Sequence, residues 1–205
     1  MKDFGLVVIG AHFGVWLKDK INECENDNIL LVEPVPYNNR ILKKNFSDKK
    51  NIFICENAIF SENTTKKFFF VKEKSIHKLG KHWASGIGSF DKQHILNHKS
   101  KRFLITDEDI EDIEIEFIDF EKLIEKYQIK SIKNLQIDVE GAEFEILKTI
   151  DFDKIDIETL EFEAKHFDGT FFKGPKLEIV KEKLTLHGFE IIKIDKENIL
   201  AKKIN

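Results

Sequence analysis

The sequence predicts a doubly wound α/β fold on a mostly parallel sheet, and three observations predict it. Apolar runs of four or five residues recur early in the chain without internal alternation, which suits strands buried on both faces. Each run stops at a glycine, a proline or an acidic residue, and the first two lead into segments of helical spacing, so strands and helices alternate. The last two runs are joined by a hairpin-length connection, which ends the sheet in an antiparallel pair.

The elements follow in order. Leu6-Val7-Val8-Ile9 is the first strand; it ends at Gly10, and a glycine-bounded turn leads to a helix around Val15 to Ile21. Ile29 to Val32 is the second, ending at Glu33-Pro34, with a helix over 38–46 for which Asn38 or Asn39 is the expected cap. Asn51 to Cys55 is the third. Lys67 to Val71 is a short aromatic strand, and residues 73–106 then show no sustained period. A stretch of that length is either functional or holds further structure, so the expectation is one domain over 1–205 with an inserted, lid-like segment at about 73–106. The acidic run Asp107 to Glu116 reads as a solvated edge containing Ile113 and Ile115 in alternation with Phe117, before a helix carrying Phe120, Leu123, Ile124 and Tyr127. Strands over 134–139 and 157–162 bracket a helix over 142–149. A helix over 177–186 stops near Gly188, and the runs 189–194 and 199–202 form the closing pair.

Composition narrows the function. Apolar residues make up 41% and charged residues 34%, with a net charge of −4 and lysines and acids interspersed. No concentrated basic face is present, so no nucleic-acid partner is expected. No apolar run approaches a membrane span, and no cleavage site follows the N-terminus. Cys24 and Cys55 are too few for a disulfide framework; Cys55 reads as a buried thiol, and the expected compartment is the reducing cytoplasm.

In such a sheet, ligands bind beyond the carboxyl ends of the strands. Gly10-Ala11-His12-Phe13-Gly14 follows the first strand, where small residues let a ligand approach the backbone. Glu33 lies 19 residues after Gly14, at the end of the second strand, where a carboxylate can hold ribose hydroxyls. The dinucleotide pattern G-x-G-x-x-G is absent because His12 stands at its second glycine, neither tyrosine has a lysine four residues on, and there is no phosphate loop. An adenosine ligand without phosphates fits best.

The segment Ile137-Asp138-Val139-Glu140-Gly141-Ala142-Glu143-Phe144-Glu145-Ile146-Leu147 is the most specific in the chain. It resembles the hallmark of the FkbM family of methyltransferases, a strand ending in I-D-x-E-G-x-E and entering a helix. Ile9 to Gly14, Val32-Glu33-Pro34 with Asn45, and Asn57-Ala58-Ile59 agree in order, over roughly residues 5–165. The resemblance implies the class I methyltransferase fold with seven strands. It also implies S-adenosylmethionine as cofactor and a hydroxyl of a sugar, glycan or small metabolite as acceptor. By position, Gly10, Ala11, His12 and Gly14 would line the methionine part, Glu33 would hold the ribose, and Asn57 and Ala58 would lie beside the adenine. Family members carry an acidic residue two places before the first glycine; here that place is Val8, so its contact falls to another group, with Asp138 the first choice.

Methyl transfer to a hydroxyl needs an in-line acceptor and a group to take its proton. Asp138, Glu163 and His166, after the fourth and fifth strands, are the expected catalytic set. Glu143 reads as a cap of its own helix start. Glu140, with Trp83, Ser85 and Ser89 of the stretch His82 to Phe90, would face the acceptor. His94 and His98 have a spacing zinc sites use, but the sequence supplies no evident third ligand, so they read as partly exposed helix histidines and no metal is expected. Two other readings compete: an NAD-dependent oxidoreductase, and a non-catalytic nucleoside-binding domain on the same fold.

Overall fold

A computed structural model describes residues 1–80, 82–99, 104–172 and 174–204, with the side chains of His82 and Lys193 outside the description. Strand β1 (Lys2–Ile9) precedes a short 3-10 turn and helix α1 (Lys18–Glu23), followed by β2 (Asn28–Val32), α2 (Pro36–Asn45) and β3 (Ile52–Cys55). The chain then runs through β4 (Ala58–Ile59), β5 (Thr64–Val71), α3 (Glu73–Leu79), β6 (Gly88–Ser89), α4 (Lys92–Asn97) and β7 (Ile110–Ile118). It returns through α5 (Phe120–Tyr127), β8 (Ile129–Ile137), α6 (Glu143–Leu147), β9 (Asp156–Glu163), α7 (Lys176–Leu186), β10 (Phe189–Lys193) and β11 (Asn198–Lys203).

Seven strands form one sheet in the order β10-β11-β9-β8-β1-β2-β3. All pairs are parallel except β9–β11 and β10–β11, which are antiparallel. The continuous apolar run of β1 is explained by its central place. Phe4, Val7 and Ile9 pack into the main core with β8, β9, α5, α6 and α7, while Leu6 and Val8 enter a second core with α1 and α2. Each face buries its own alternate residues, so neither face could be polar.

One expectation needed correction, and another was left open and is filled in. Helix α2 begins at Pro36, with Val35 as its N-cap. Proline at the first helical position loses no hydrogen bond, and Asn38 and Asn39 are left inside the helix as buried groups. The segment without a period carries α3, α4, the short strand β6 and a 3-10 turn at His82–Gly86, although its residues 81 and 100–103 lie outside the description. It packs around a small core of its own, where Ala84, Ile87, Ile95 and Ile105 meet Val71 of β5 and Ile110 of β7.

A second sheet, β4-β7-β5-β6, was only half legible in the sequence. Its long antiparallel pair runs in register from Thr64 opposite Phe117 to Val71 opposite Ile110. The acidic residues of β7 alternate outward, while Phe117 and Ile118 turn inward. Phe68, Phe70 and Phe117 carry this sheet into the main core, with Phe68 and Phe117 meeting edge to face at 6.1 Å. The second sheet thereby stands over the carboxyl ends of the first.

Candidate active site

The end of β1 meets the end of β8 without any intervening side chain. Asp138 N–H donates to the Ile9 carbonyl at 2.9 Å, and a Cβ on Gly10 would lie 1.8 Å from the Asp138 carbonyl oxygen. Gly10 also has φ +92°, so the turn demands glycine twice over. A cavity of about 240 Å³ opens beside this junction. It is lined by Ile9, Gly10, His12 and Asp138, by the apolar Val35, Ala58, Ile59, Phe68 and Phe117, and by Trp83, Ser89 and Phe90.

Glu33 reaches this cavity from the end of β2 and is 5% exposed. Its two carboxylate oxygens accept the His12 backbone N–H at 2.8 Å and the Val35 N–H at 2.9 Å. Burial raises its pKa to about 7, against the lowering effect of those amides. Asn39 donates to the Glu33 carbonyl at 3.0 Å, and Asn38 donates to the Ser85 carbonyl at 2.8 Å. The two asparagines expected as caps therefore brace the site from inside α2.

The predicted site residues separate into two groups. Gly10, His12, Glu33, Ala58, Asp138, Glu140, Trp83 and Ser89 line the cavity. Ala11 is packed in the second core, and Gly14 faces Phe46 and Leu42 of α2 and its following turn. Asn57 is held by the Glu116 carboxylate and by Lys126. Ser85 lies behind the wall, 2.6 Å from His12 Nε2. Val8 points into the second core, away from the cavity that Asp138 faces.

Asp138 shares its end of the sheet with other acids. One oxygen each of Asp138, Glu143 and Glu163 lie within 4.8 Å of one another. Burial, then the neighbouring Glu140, raises Asp138 to about 6; burial, then Asp138, raises Glu163 to about 8. Glu143 is fully buried, and its oxygens accept the N–H groups of Val139 and Gly141 at 3.0 Å each, so it holds the turn before α6 and does not cap the helix start as expected. Lys165 pairs with Glu163 at 2.6 Å. Glu163 and His166 are buried and are not among the residues that line the cavity, which Asp138 and Glu140 reach from the same end of the sheet.

The walls that sequence reasoning missed are apolar. Trp16, Val35, Phe68, Phe90 and Phe117 come from turns and from the second sheet. The alternation ending at Phe117 was the available signal. The histidines were also misjudged: His94 and His98 are 8% and 4% exposed, and His166 and Glu140 meet them.

The strand order, the antiparallel closing pair and the cavity at the ends of β1, β2 and β8 define a Rossmann-like, class I methyltransferase fold. The chain belongs to the FkbM methyltransferase family: the model of the methyltransferase FkbM domain matches residues 9–197. No curated protein sequence matches it. Among solved structures it is similar to precorrin-6y C5,15-methyltransferase from Geobacter metallireducens, at 14% identity and TM-score 0.48, covering 99% of this chain and 82% of that one. It is also similar to Aeropyrum pernix fibrillarin in complex with S-adenosyl-L-methionine, at 12% identity and TM-score 0.46, covering 98% and 66%. A third is SMU.1697c of Streptococcus mutans in complex with SAH, at 8% identity and TM-score 0.45, covering 99% and 91%.

Proposed function

We propose that this family member is an S-adenosylmethionine-dependent O-methyltransferase acting on a hydroxyl of a sugar, glycan or small metabolite. The observation that carries the reading is the buried Glu33 carboxylate opening on the same cavity as Asp138. When bound there, the cofactor supplies an electrophilic methyl group on a sulfonium.

The chain's own residues then divide the work. Glu33 has both oxygens braced by amides and keeps lone pairs for ribose hydroxyls. Val35, Ala58 and Ile59 offer an apolar slot for a purine, and Gly10 leaves the backbone bare beside it. Asp138 stands where an acceptor hydroxyl would be oriented and deprotonated, with Glu163 acting only through it. Trp83, Ser89 and Phe90, from the inserted segment, close the outer side as a lid. A wall this apolar, with few polar groups, suits one compact acceptor. Both cysteines are buried and free, which fits a reducing compartment. Among the described residues no helix is long and apolar enough to cross a membrane.

Calorimetry with S-adenosylmethionine and with NAD tests the cofactor: the first should bind, and preferential binding of NAD would overturn the reading. Incubation with free sugars, glycans and polyketide alcohols, scored by release of S-adenosylhomocysteine, then identifies the acceptor.

A further inference from the structure

Behind the cavity, three elements far apart in sequence bring four ligating side chains to one point. His94 lies in α4 of the inserted segment and His98 caps its end; Glu140 lies in the turn after β8, and His166 follows β9. Their ligating atoms all fall within 4.8 Å of one another. His98 Nε2 is 3.5 Å and His166 Nε2 is 3.1 Å from Glu140 Oε2. The edge of a tetrahedron around an ion with metal–nitrogen bonds of about 2.0–2.1 Å is about 3.4 Å.

None of the four buried atoms, His94 Nε2, His98 Nε2, His166 Nε2 and Glu140 Oε2, makes a well-directed hydrogen bond, and the contacts of His98 and His166 to Glu140 stay within the cluster. Buried polar atoms without partners are costly, and four aimed at each other are more so. Their outer atoms, in contrast, are engaged. His98 Nδ1 faces the His94 carbonyl at 2.9 Å, which requires an N–H there and leaves a lone pair on Nε2. His94 Nδ1 lies 3.1 Å from the Thr170 hydroxyl, which can take its proton and leave Nε2 equally free. The Phe171 N–H donates to His166 Nδ1 at 2.9 Å, so that neutral ring carries its proton on Nε2. A metal ion on Nε2 requires the neutral ring to carry its proton on Nδ1 instead, so the proton moves to Nδ1 and the Phe171 hydrogen bond opens as the ion enters.

The backbone is shaped around the same point. Glu140 holds φ 55°, a left-handed conformation unusual for glutamate, which turns its carboxylate toward the histidines. A Cβ on Gly141 would meet the His94 ring at 2.9 Å, so the turn needs glycine to admit that ring.

We infer that His94, His98, His166 and Glu140 bind a divalent transition-metal ion of the Zn2+ type, which clamps α4 to the ends of β8 and β9. Three imidazoles and one carboxylate are the donor set such an ion selects over Mg2+ or Ca2+. The site is closed by four protein ligands and touches the cavity only through Glu140, so its role is to hold that wall in place. It does not depend on the identity of the cofactor or acceptor.

Tag-free protein, stripped with chelator, should take up one Co2+ per chain and show the strong visible absorption of four-coordinate cobalt. Zn2+ should displace the Co2+ and raise Tm. Thr170→Val, which alters only the outer hydrogen bond of His94, should weaken Co2+ binding by about 10–100-fold, and His98→Gln by at least as much. A folded wild-type chain that retains no Co2+ or Zn2+ would overturn the inference, as would equal uptake by folded His98→Gln and His94→Gln variants. Should those variants fail to fold, the wild-type titration and the Thr170→Val comparison still decide it.

Discussion

The carboxylate of Glu33 accepts the backbone N–H of His12 at 2.8 Å, tying the end of β2 to the turn that leaves β1. One side chain thus fixes the shape of the turn and presents itself to the cavity. Glu33→Ala removes both functions. S-adenosylmethionine binding should weaken at least tenfold, about 1.4 kcal/mol or more, as calorimetry would measure.

Glu33 also makes the protein sensitive to pH. Its pKa in the folded chain is raised to about 7, so its contribution to stability is full below the ordinary carboxyl range and is lost as pH climbs through about 7. The loss is about 3 kcal/mol for so buried a group. Glu33→Gln should flatten the fall in Tm between pH 5 and pH 8. Ribose hydroxyls favour the charged form, so cofactor affinity should run the other way and be greater at pH 8 than at pH 6.

Gly10→Ala should be among the most damaging single changes, because its Cβ would meet the backbone of Asp138 rather than a movable side chain. With the strain of a positive φ added, a loss of about 2–4 kcal/mol is expected in urea unfolding. Gly86→Ala is the matched control: it lies in the same cavity wall, and nothing stands within 4 Å of its added Cβ.

Asp138→Asn keeps the shape of the side chain and removes its capacity to take a proton. Turnover should fall by about 10²–10⁴-fold, a larger loss than that in cofactor affinity, followed by S-adenosylhomocysteine release and calorimetry. Unchanged turnover would remove Asp138 from the chemistry.

Asn38→Ala should loosen the 82–90 stretch, and it also removes a 3.4 Å contact to Glu33 Oε1. Its amide holds the Ser85 carbonyl from a fully buried position, so about 1–3 kcal/mol should be lost. Hydrogen exchange over 82–90 should quicken, since that stretch is anchored through Ser85.

The main sheet was legible because its strands are buried on both faces and so write unbroken apolar runs such as Leu6 to Ile9. The cavity was legible where strand ends line it, as at Glu33 and Asp138. It was not legible where a side chain's role is set by distant partners. Asn57 is spent on Glu116 and Lys126, and Gly14 is demanded by Phe46, neither of which local sequence reveals. The second sheet was obscured because its acidic outer residues imitate a solvated run. His94 and His98 acquire their meaning only when the turn after β8 and the loop after β9 arrive beside them.

Strand β1 is flanked on one side by β2 and on the other by β8, with Val7 opposite both Leu30 and Leu135. The second partner is made more than a hundred residues later, so a growing chain carries an apolar strand with one open edge through most of its synthesis. Such long-range pairing folds slowly and leaves intermediates that can stick to one another. Fragments cut before β8 should therefore precipitate, whereas the whole chain, once β8 slots in, closes that exposed flank.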